Sequence, residues 1–278
     1  MSSNEALSRF NMALTQGQFD KIASMLYAAA KITLQAGKEE LVKSRLQKRL
    51  LQLGLPGFDE YIRLVNKDPA ELYRMVDMLT TNKTSFFREN LHFDFLRQRV
   101  LPQLSNSRVR IWSAGCSSGE EAYSIAMVIK DFFGDDFGDA RVLATDLSER
   151  VLAKARAGIY EHDSMCDIPQ KFVTRYFDCV ELQKPRRYCV RQSLRSLISF
   201  APLNLMCDWP MRGPFDVIFC RNVMIYFDKP TQEILVNRFF DLLSPGGYLF
   251  VGHSESLAGF ATDFKYIQPA IHLKEKKC

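Results

Sequence analysis

Three groups of residues have types and spacings suited to chemistry. The first is VRIWSAGCSSGEEAYSIAM, residues 109–127. An apolar, β-type run enters a turn containing Gly115 and Gly119, and the turn opens a helix. Such a turn brings backbone N–H groups and a helix N-terminus against a ligand. A tight turn without any ligand is the plainer reading. The spacing is not G-x-G-x-x-G and no Lys follows the second glycine, so neither the dinucleotide fingerprint nor the P-loop is present. Glu120 and Glu121 would repel a triphosphate and suit a cationic group such as an amine or a sulfonium. The second group is Asp146, at the end of the next apolar run in RVLATDLSE. An acid there accepts hydrogen bonds from ribose hydroxyls, or caps the following helix, a task Ser148 also suits. The third is PFDVIFCRNVMIYFDKPTQ, in which another β-type run ends at Arg221 and Asn222. Ligands of open α/β sheets sit beyond the carboxyl ends of strands, where Asn222 and Tyr226 would line a site. Tyr226 could equally be a core aromatic beside Phe227. Together the glycine turn, the ribose acid and the missing phosphate cradle point to S-adenosylmethionine rather than NAD.

The elements that must position these groups read as follows. The first 80 residues are helical. TQGQFDKIASMLYAAAKITL carries Phe19, Ile22, Ala23, Leu26 and Tyr27 near helical spacing. GKEELVKSRLQKRLLQLGL places Leu41, Val42, Leu46, Leu50 and Leu53 on one side and stops at Gly54. DPAELYRMVDMLTTN begins with Asp68 as N-cap and Pro69 at the first helical position. From about residue 109, the short apolar runs VRIWSAG, ARVLATD, LISFAPLNL, FDVIFCRN and GGYLFVGH alternate with helical stretches, which predicts a parallel sheet covered on both faces. YFDCVELQKPRRYCVRQSLR, residues 176–195, breaks this rhythm and reads as a small strand-loop-strand insertion. FKYIQPAIHLKEK reads as a terminal antiparallel pair. The polar stretch LTTNKTSFFRENLHF, residues 79–93, has neither a helical nor a strand period, and is either a linker or a segment that closes over something.

Composition bounds the reading. The chain has 278 residues, enough for a domain of about 200 residues and a smaller one. Apolar residues make up 47% and charged residues 25%, as in ordinary globular proteins, and the net charge of +5 suits weak attraction to an acidic partner. No apolar run reaches the roughly 18–20 residues that span a bilayer, and MSSNEALSRF has no signal-peptide character. The seven cysteines are odd in number and scattered, which predicts reduced cytosolic thiols. His92, His162, His253 and His272 are also scattered, so no metal site is expected.

TTNKTSFFRE, WSAGCSSGEEAYSIA, ATDLSERVLAKARAGIY, FAPLNL, GPFDVIFCRNVMIYFDKPTQ and PGGYLFVGHSES resemble the CheR family of bacterial chemoreceptor glutamate methyltransferases over nearly the whole chain. The resemblance implies a Rossmann-like class I S-adenosylmethionine methyltransferase domain, α/β in class, with a small antiparallel β-subdomain insertion, preceded by an all-α N-terminal domain. The implied boundaries are 1–80 for a helical receptor-docking domain, 81–92 for a linker contributing to the cofactor site, and 93–278 for the methyltransferase domain with its insertion at about 176–195. By the same resemblance Asn82, Thr84, Arg88, Glu121, Asp146, Asn204, Leu205, Arg221 and Asn222 contact S-adenosylmethionine, with Glu120 the alternative to Glu121. The product would be S-adenosylhomocysteine.

The implied reaction forms a methyl ester on a receptor glutamate. A glutamate with a pKa of about 4.3 is already ionised at neutral pH and needs no general base. Arg88 would orient the attacking carboxylate or bind the cofactor's own carboxylate, and Tyr226 would donate a hydrogen bond near the reacting atoms. Arg45, Lys48 and Arg49 share a helical face, which is either simply solvated or docks on acidic receptor helices. In some family members the β-subdomain grips a receptor C-terminal peptide through loop glycines; ELQKPRRYCV has none, which argues against that route here. The implied setting is cytoplasmic, with recruitment to membrane receptor arrays, chemoreceptor cytoplasmic domains as partners, no nucleic acid, no membrane insertion, and no requirement beyond a monomer. A nucleic-acid methyltransferase is the alternative enzyme, but the chain lacks an N-P-P-[YF] motif and interleaved basic and aromatic runs. A non-catalytic S-adenosylmethionine-binding scaffold is the alternative from another class; Arg88, Tyr226 and FCRNVMIYFD argue against it.

Overall fold

The structure, a computed structural model, describes residues 13–104, 108–134, 137 and 139–276, so MSSNEALSRF and Cys278 lie outside the described residues. The chain divides into two units. One runs to Thr81 and includes Tyr226–Asp228; the other comprises Asn82–Ile225 and the chain from Lys229.

The first unit is helical: α1 (Gln16–Ala30), α2 (Glu39–Leu53), α3 (Phe58–Lys67) and α4 (Pro69–Leu79). Thr15 and Gln18 form a capping box at the start of α1. Phe19, Ile22, Leu26 and Ala30 make its buried stripe, each larger side chain contributing about 1.5–3 kcal/mol relative to exposure. Tyr27, expected on that stripe, is exposed and donates its hydroxyl to Asp228 at 2.6 Å. The helix stops at left-handed Lys31, short of the ITL that the pattern carried on, and Thr33 N–H instead donates to the Tyr226 carbonyl. Helix α2 buries Val42, Leu46 and Leu50 and ends at left-handed Gly54, as its pattern predicts. Asp68 caps α4 through the Ala70 N–H, with Pro69 following. Helix α3 has no counterpart in the sequence reading: its start at Pro56-Gly57 reads as a turn, and no side chain caps it.

The second unit holds a seven-stranded sheet in the order β6-β2-β1-β7-β8-β10-β9. Its members are β1 (Val109–Ala114), β2 (Ala140–Asp146), β6 (Ile198–Pro202), β7 (Phe215–Cys220), β8 (Leu243–Val251), β9 (Lys265–Gln268) and β10 (Ile271–Leu273). The first five in that order pair in parallel, and β10 and β9 close the edge antiparallel. Both the alternation and the terminal pair are as expected. The chain leaves β1 toward β2 and β6 on one side and continues through β7 and β8 on the other, so the order reverses between β1 and β7. Ligand crevices form at such a point, beyond the carboxyl ends of the strands. The crossovers include α6 (Glu120–Phe133), α7 (Glu149–Ala157) and α10 (Lys229–Leu242), numbered with α5 (Leu91–Phe95), α8 (Gln170–Tyr176) and α9 (Gln192–Arg195). Every residue of α6 from Glu120 to Lys130 is buried, because α6 packs on β2, β6, α5 and α9 together.

A second, antiparallel sheet has the order β3-β5-β4, from β3 (Ile159–Glu161), β4 (Phe177–Glu181) and β5 (Arg187–Val190). The expected insertion supplies β4 and β5; β3 is an addition, too short to carry a period. No helix among the described residues is long and apolar enough to cross a membrane.

Candidate functional site

The glycine turn after β1 is bound to the end of β2. Gly115 and Cys116 N–H groups both donate to the Thr145 carbonyl, at 2.8 and 2.9 Å. Gly115 has φ +86°, and a Cβ there would lie 2.4 Å from Val223 Cγ2, so only glycine fits. Asp146 Oδ2 accepts from the Ser117 N–H at 2.8 Å and Oδ1 from the Ser148 N–H at 2.9 Å. The carboxylate thus joins the turn to the start of α7, while Ser148 Oγ caps that helix. Each oxygen keeps lone-pair capacity for a ribose hydroxyl. Leu203 N–H donates to the Asp146 carbonyl, which brings Asn204 and Leu205 to the same edge. Asn204 Oδ1 accepts from Met206 N–H at 3.0 Å, and Leu205 is buried.

Residues 82–93 are part of the sheet unit and are held to it at several points. Ser117 Oγ donates to the Asn82 carbonyl at 2.8 Å, and Phe87 N–H donates to Ser124 Oγ at 3.0 Å. Phe86 is buried against Tyr160, with ring centroids 4.8 Å apart. Phe93 stacks on Phe219, which stacks on Phe250. Phe87 and Glu89 adopt positive φ of 51° and 56°, the cost of a sharp reversal there. Thr84 is half-buried, and Arg88 Nη1 donates to the Lys83 carbonyl at 3.0 Å, closing the loop on itself.

The loop, the turn and the end of β7 meet at Arg221, a buried residue. Its Nη1 donates to Glu121 Oε2 at 3.0 Å; its Nη2 donates to Glu89 Oε2 at 3.0 Å and to the Arg88 carbonyl. Glu121 also accepts from Ser113 Oγ at 2.7 Å. Glu89 further accepts from Asn222 Nδ2 at 3.4 Å and from His253 N–H at 3.3 Å. Asn222, at φ +58°, is fixed through its N–H to Glu255, which also accepts from Gly252 and Ile225 N–H groups. Burial pushes the Glu121 carboxyl up, against the opposition of Arg221 and Ser113. Burial also acts on Glu89, but there Arg221 and the His253 N–H prevail and hold it below the usual carboxylate range. Burial raises Glu120 too, although Ser118 Oγ donates to both of its oxygens.

The structure therefore gathers Asn82, Glu121, Asp146, Asn204, Leu205, Arg221 and Asn222 on the unit's carboxyl edge. Glu121, expected to face a cation supplied by a ligand, already has one in Arg221. Tyr226 belongs to the helical unit, where its hydroxyl donates to the Thr81 carbonyl at 3.2 Å. The charges expected on α2 are differently employed. Arg45 donates to the Leu79 and Thr80 carbonyls and to Thr81 Oγ1, and Arg49 makes a two-pronged bond to Glu71; Lys48 is exposed.

Glu89 and Glu255 were not singled out in the sequence, although Glu89 adjoins Arg88 and Glu255 lies in GHSES. The histidines are not all scattered in space: the His92 and His253 rings lie 5.0 Å apart between centroids. Burial above all pushes His92 down to about 3, with Arg221 adding to the shift.

A turn that admits no Cβ, an acid with acceptor capacity at the end of β2 and acidic residues opening α6 fit an adenosine-bearing sulfonium. Residues 17–80 match the family described as CheR methyltransferase, all-alpha domain, and residues 82–272 match CheR methyltransferase, SAM binding domain. A chemotaxis protein methyltransferase of Klebsiella aerogenes is 43% identical, over 94% of this chain and 91% of its own. A probable chemotaxis protein methyltransferase of Rhizobium etli is 46% identical, over 85% and 91%. The chemotaxis protein methyltransferase of Escherichia coli is 42% identical, over 89% and 87%. The chain belongs to the CheR methyltransferase family and is an S-adenosylmethionine-dependent methyltransferase of chemotaxis.

Proposed function

We propose that the protein methylates glutamate side-chain carboxylates on the cytoplasmic domains of chemoreceptors, forming methyl esters during adaptation. The observation that carries this reading is that Glu89, Glu121 and Glu255, at the edge of the sheet, are committed as acceptors. Glu121 is held by Ser113 and Arg221, Glu89 by Arg221 and Asn222, and Glu255 by three N–H groups. A site arranged in this way suits a nucleophile that arrives already ionised, as a glutamate does at neutral pH. Bound S-adenosylmethionine supplies the electrophilic methyl group. The chain contributes alignment and desolvation.

In this reading Asn82, Thr84, Arg88, Glu121, Asp146, Asn204, Leu205, Arg221 and Asn222 bind the cofactor. Arg88 also orients the substrate carboxylate, its planar fork being suited to that group. In this reading Tyr226 turns its hydroxyl from the Thr81 carbonyl to donate a hydrogen bond at the reacting centre during transfer. Residues up to 80 dock on the receptor through the face of α2 that carries Arg45, Lys48 and Arg49, of which Lys48 is exposed and the two arginines are half-buried. The setting is the cytoplasm, at receptor arrays. Tyr226→Phe is expected to lower kcat about tenfold or more with cofactor Kd unchanged, the signature of a group acting mainly in the transition state. Unchanged kcat would remove Tyr226 from the mechanism.

The experiment that tests the whole reading is transfer from methyl-labelled S-adenosylmethionine to a purified chemoreceptor cytoplasmic fragment, followed by mild base. Label released as methanol establishes a carboxyl ester. Label that survives base shows methylation of nitrogen and overturns the proposal.

A further inference from the structure

Glu89, His92 and His253 bring one carboxylate oxygen and two imidazole nitrogens within 4.8 Å of one another. His92 is 1% exposed, and neither ring nitrogen has a hydrogen-bond partner. Buried polar groups in folded proteins are nearly always satisfied, and an unsatisfied one calls for an explanation, of which a completing ion or water is one. His92 Nδ1 faces Glu89 Oε2 at 3.6 Å. Two ligands about 2.0–2.1 Å from a tetrahedral zinc ion lie roughly 3.3 Å from each other. The Glu89–His92 pair therefore already has nearly the spacing of a bound pair. His253 is exposed, so its ring is free to swing the remaining distance, and solvent reaches the group from its side.

We propose that Glu89, His92 and His253 form a binding site for a divalent transition-metal ion of the zinc type, with water completing the coordination. Two imidazoles and one carboxylate are a donor set for Zn(II), Co(II) or Ni(II) and not for Mg(II) or Ca(II). Arg221 stands beside the site, but Glu89 and Glu121 set two carboxylates against that one cation. When Glu89 turns to the metal, Arg221 keeps Glu121. The metal then takes from Arg221 and Asn222 a carboxylate that aligns both. Metal binding consequently weakens cofactor binding; this second consequence rests on the cofactor site proposed above, whereas the metal site does not.

The test is a titration of the full chain, kept reduced, with Co(II), read by its visible d–d absorption. Wild-type protein is expected to bind one Co(II) per chain, without the charge-transfer band that coordination by Cys166, Cys179 or Cys207 would give. His253→Ala removes an exposed ligand and leaves the backbone N–H bond to Glu89, so folding is preserved; Co(II) affinity is expected to fall by at least ~10-fold. Equal affinity in that variant, a thiolate band, or no stoichiometric binding would overturn the site. Saturating Zn(II) is then expected to weaken S-adenosylhomocysteine binding in wild type and not in His253→Ala. Unchanged S-adenosylhomocysteine affinity beside the expected cobalt spectrum would leave the metal site standing and overturn its coupling to the cofactor. Failure of S-adenosylhomocysteine to bind even without metal would count against the cofactor site and not against the cobalt result.

Discussion

Each unit contains a buried ion network, built around Glu71 in the helical unit and around Arg221 in the sheet unit, and the two differ in how completely they are satisfied. In the helical unit, Glu71 is almost fully buried and accepts from Arg49 Nε and Nη2 at 2.9 and 2.6 Å, from Arg74 at 3.2 Å and from the Tyr61 hydroxyl at 3.2 Å. One carboxylate has two cations and a phenol, all on regular helices. In the sheet unit the proportions are inverted: Arg221 serves Glu89 and Glu121, its Nε has no partner, and Glu89 and Asn222 sit at positive φ. Buried ion pairs add little net stability over well-packed apolar groups. A network that is saturated, on relaxed backbone, ties helices together. A network with excess charge, an orphaned donor and residues at positive φ is the kind of arrangement that clusters at functional sites.

The largest expected effect that separates the two is Arg221→Ala. It leaves two carboxylates buried without their cation, so about 3–5 kcal/mol of stability is lost. S-adenosylhomocysteine binding, measured by calorimetry, falls by more than ~100-fold. Cofactor affinity within a fewfold of wild type would break the comparison. Arg49→Ala is expected to cost about 2–3 kcal/mol in denaturant unfolding, less than a pair broken outright, because Arg74 and Tyr61 still bond Glu71. Cofactor affinity in the surviving folded protein stays the same; a loss there would mean that the helical network is not purely structural.

A milder pair of variants compares backbones. Gly115→Ala forces an alanine to φ +86° against Val223, with an expected cost of about 1–3 kcal/mol and weaker cofactor binding. Gly17→Ala, in α1 with open space at the Cβ position, is expected to stabilise by up to about 0.5–1 kcal/mol. Thermal denaturation of both tests the contrast, and it fails if the two shift Tm alike. The smallest effect is acid sensitivity. Arg49 above all, with Arg74 and Tyr61, holds Glu71 below its ordinary range. A lowered folded pKa gives stability that is whole above the unfolded value near 4.3 and is lost as pH falls through the folded value. Glu71→Gln should therefore flatten the stability-against-pH curve below about pH 4.3, and an unchanged acid limb would show that other carboxylates set it.

The elements were legible where order is local. Caps at Asp68 and Ser148, left-handed glycine at Gly54 and apolar stripes such as Val42, Leu46 and Leu50 each depend on residues a few positions apart. Helix α3 escaped notice because its start lacks a capping side chain, and β3 because three residues carry no period. At the site, Asp146 and the glycine turn were visible as types and spacings. Glu89 was not, since an acid in a polar loop looks solvated until its partner is known. Arg45 and Arg49 show the same gap in reverse: on a helical wheel they project outward, yet their guanidiniums reach back to a helix end and a buried acid.

The sequence alone thus determined the helical N-terminal region, the parallel α/β sheet with its antiparallel edge and the glycine-bearing turn between a strand and a helix, because backbone hydrogen bonds and side-chain periods act over a few residues. Only the tertiary structure decided which charges meet. Arg221 finds Glu121 across 100 residues and Glu89 across 132, and His92 finds His253. A charge does not encode its partner. That choice is made when strands and crossovers close long loops and remove water from whatever is brought together, which makes a burial otherwise costly to each group tolerable to the set.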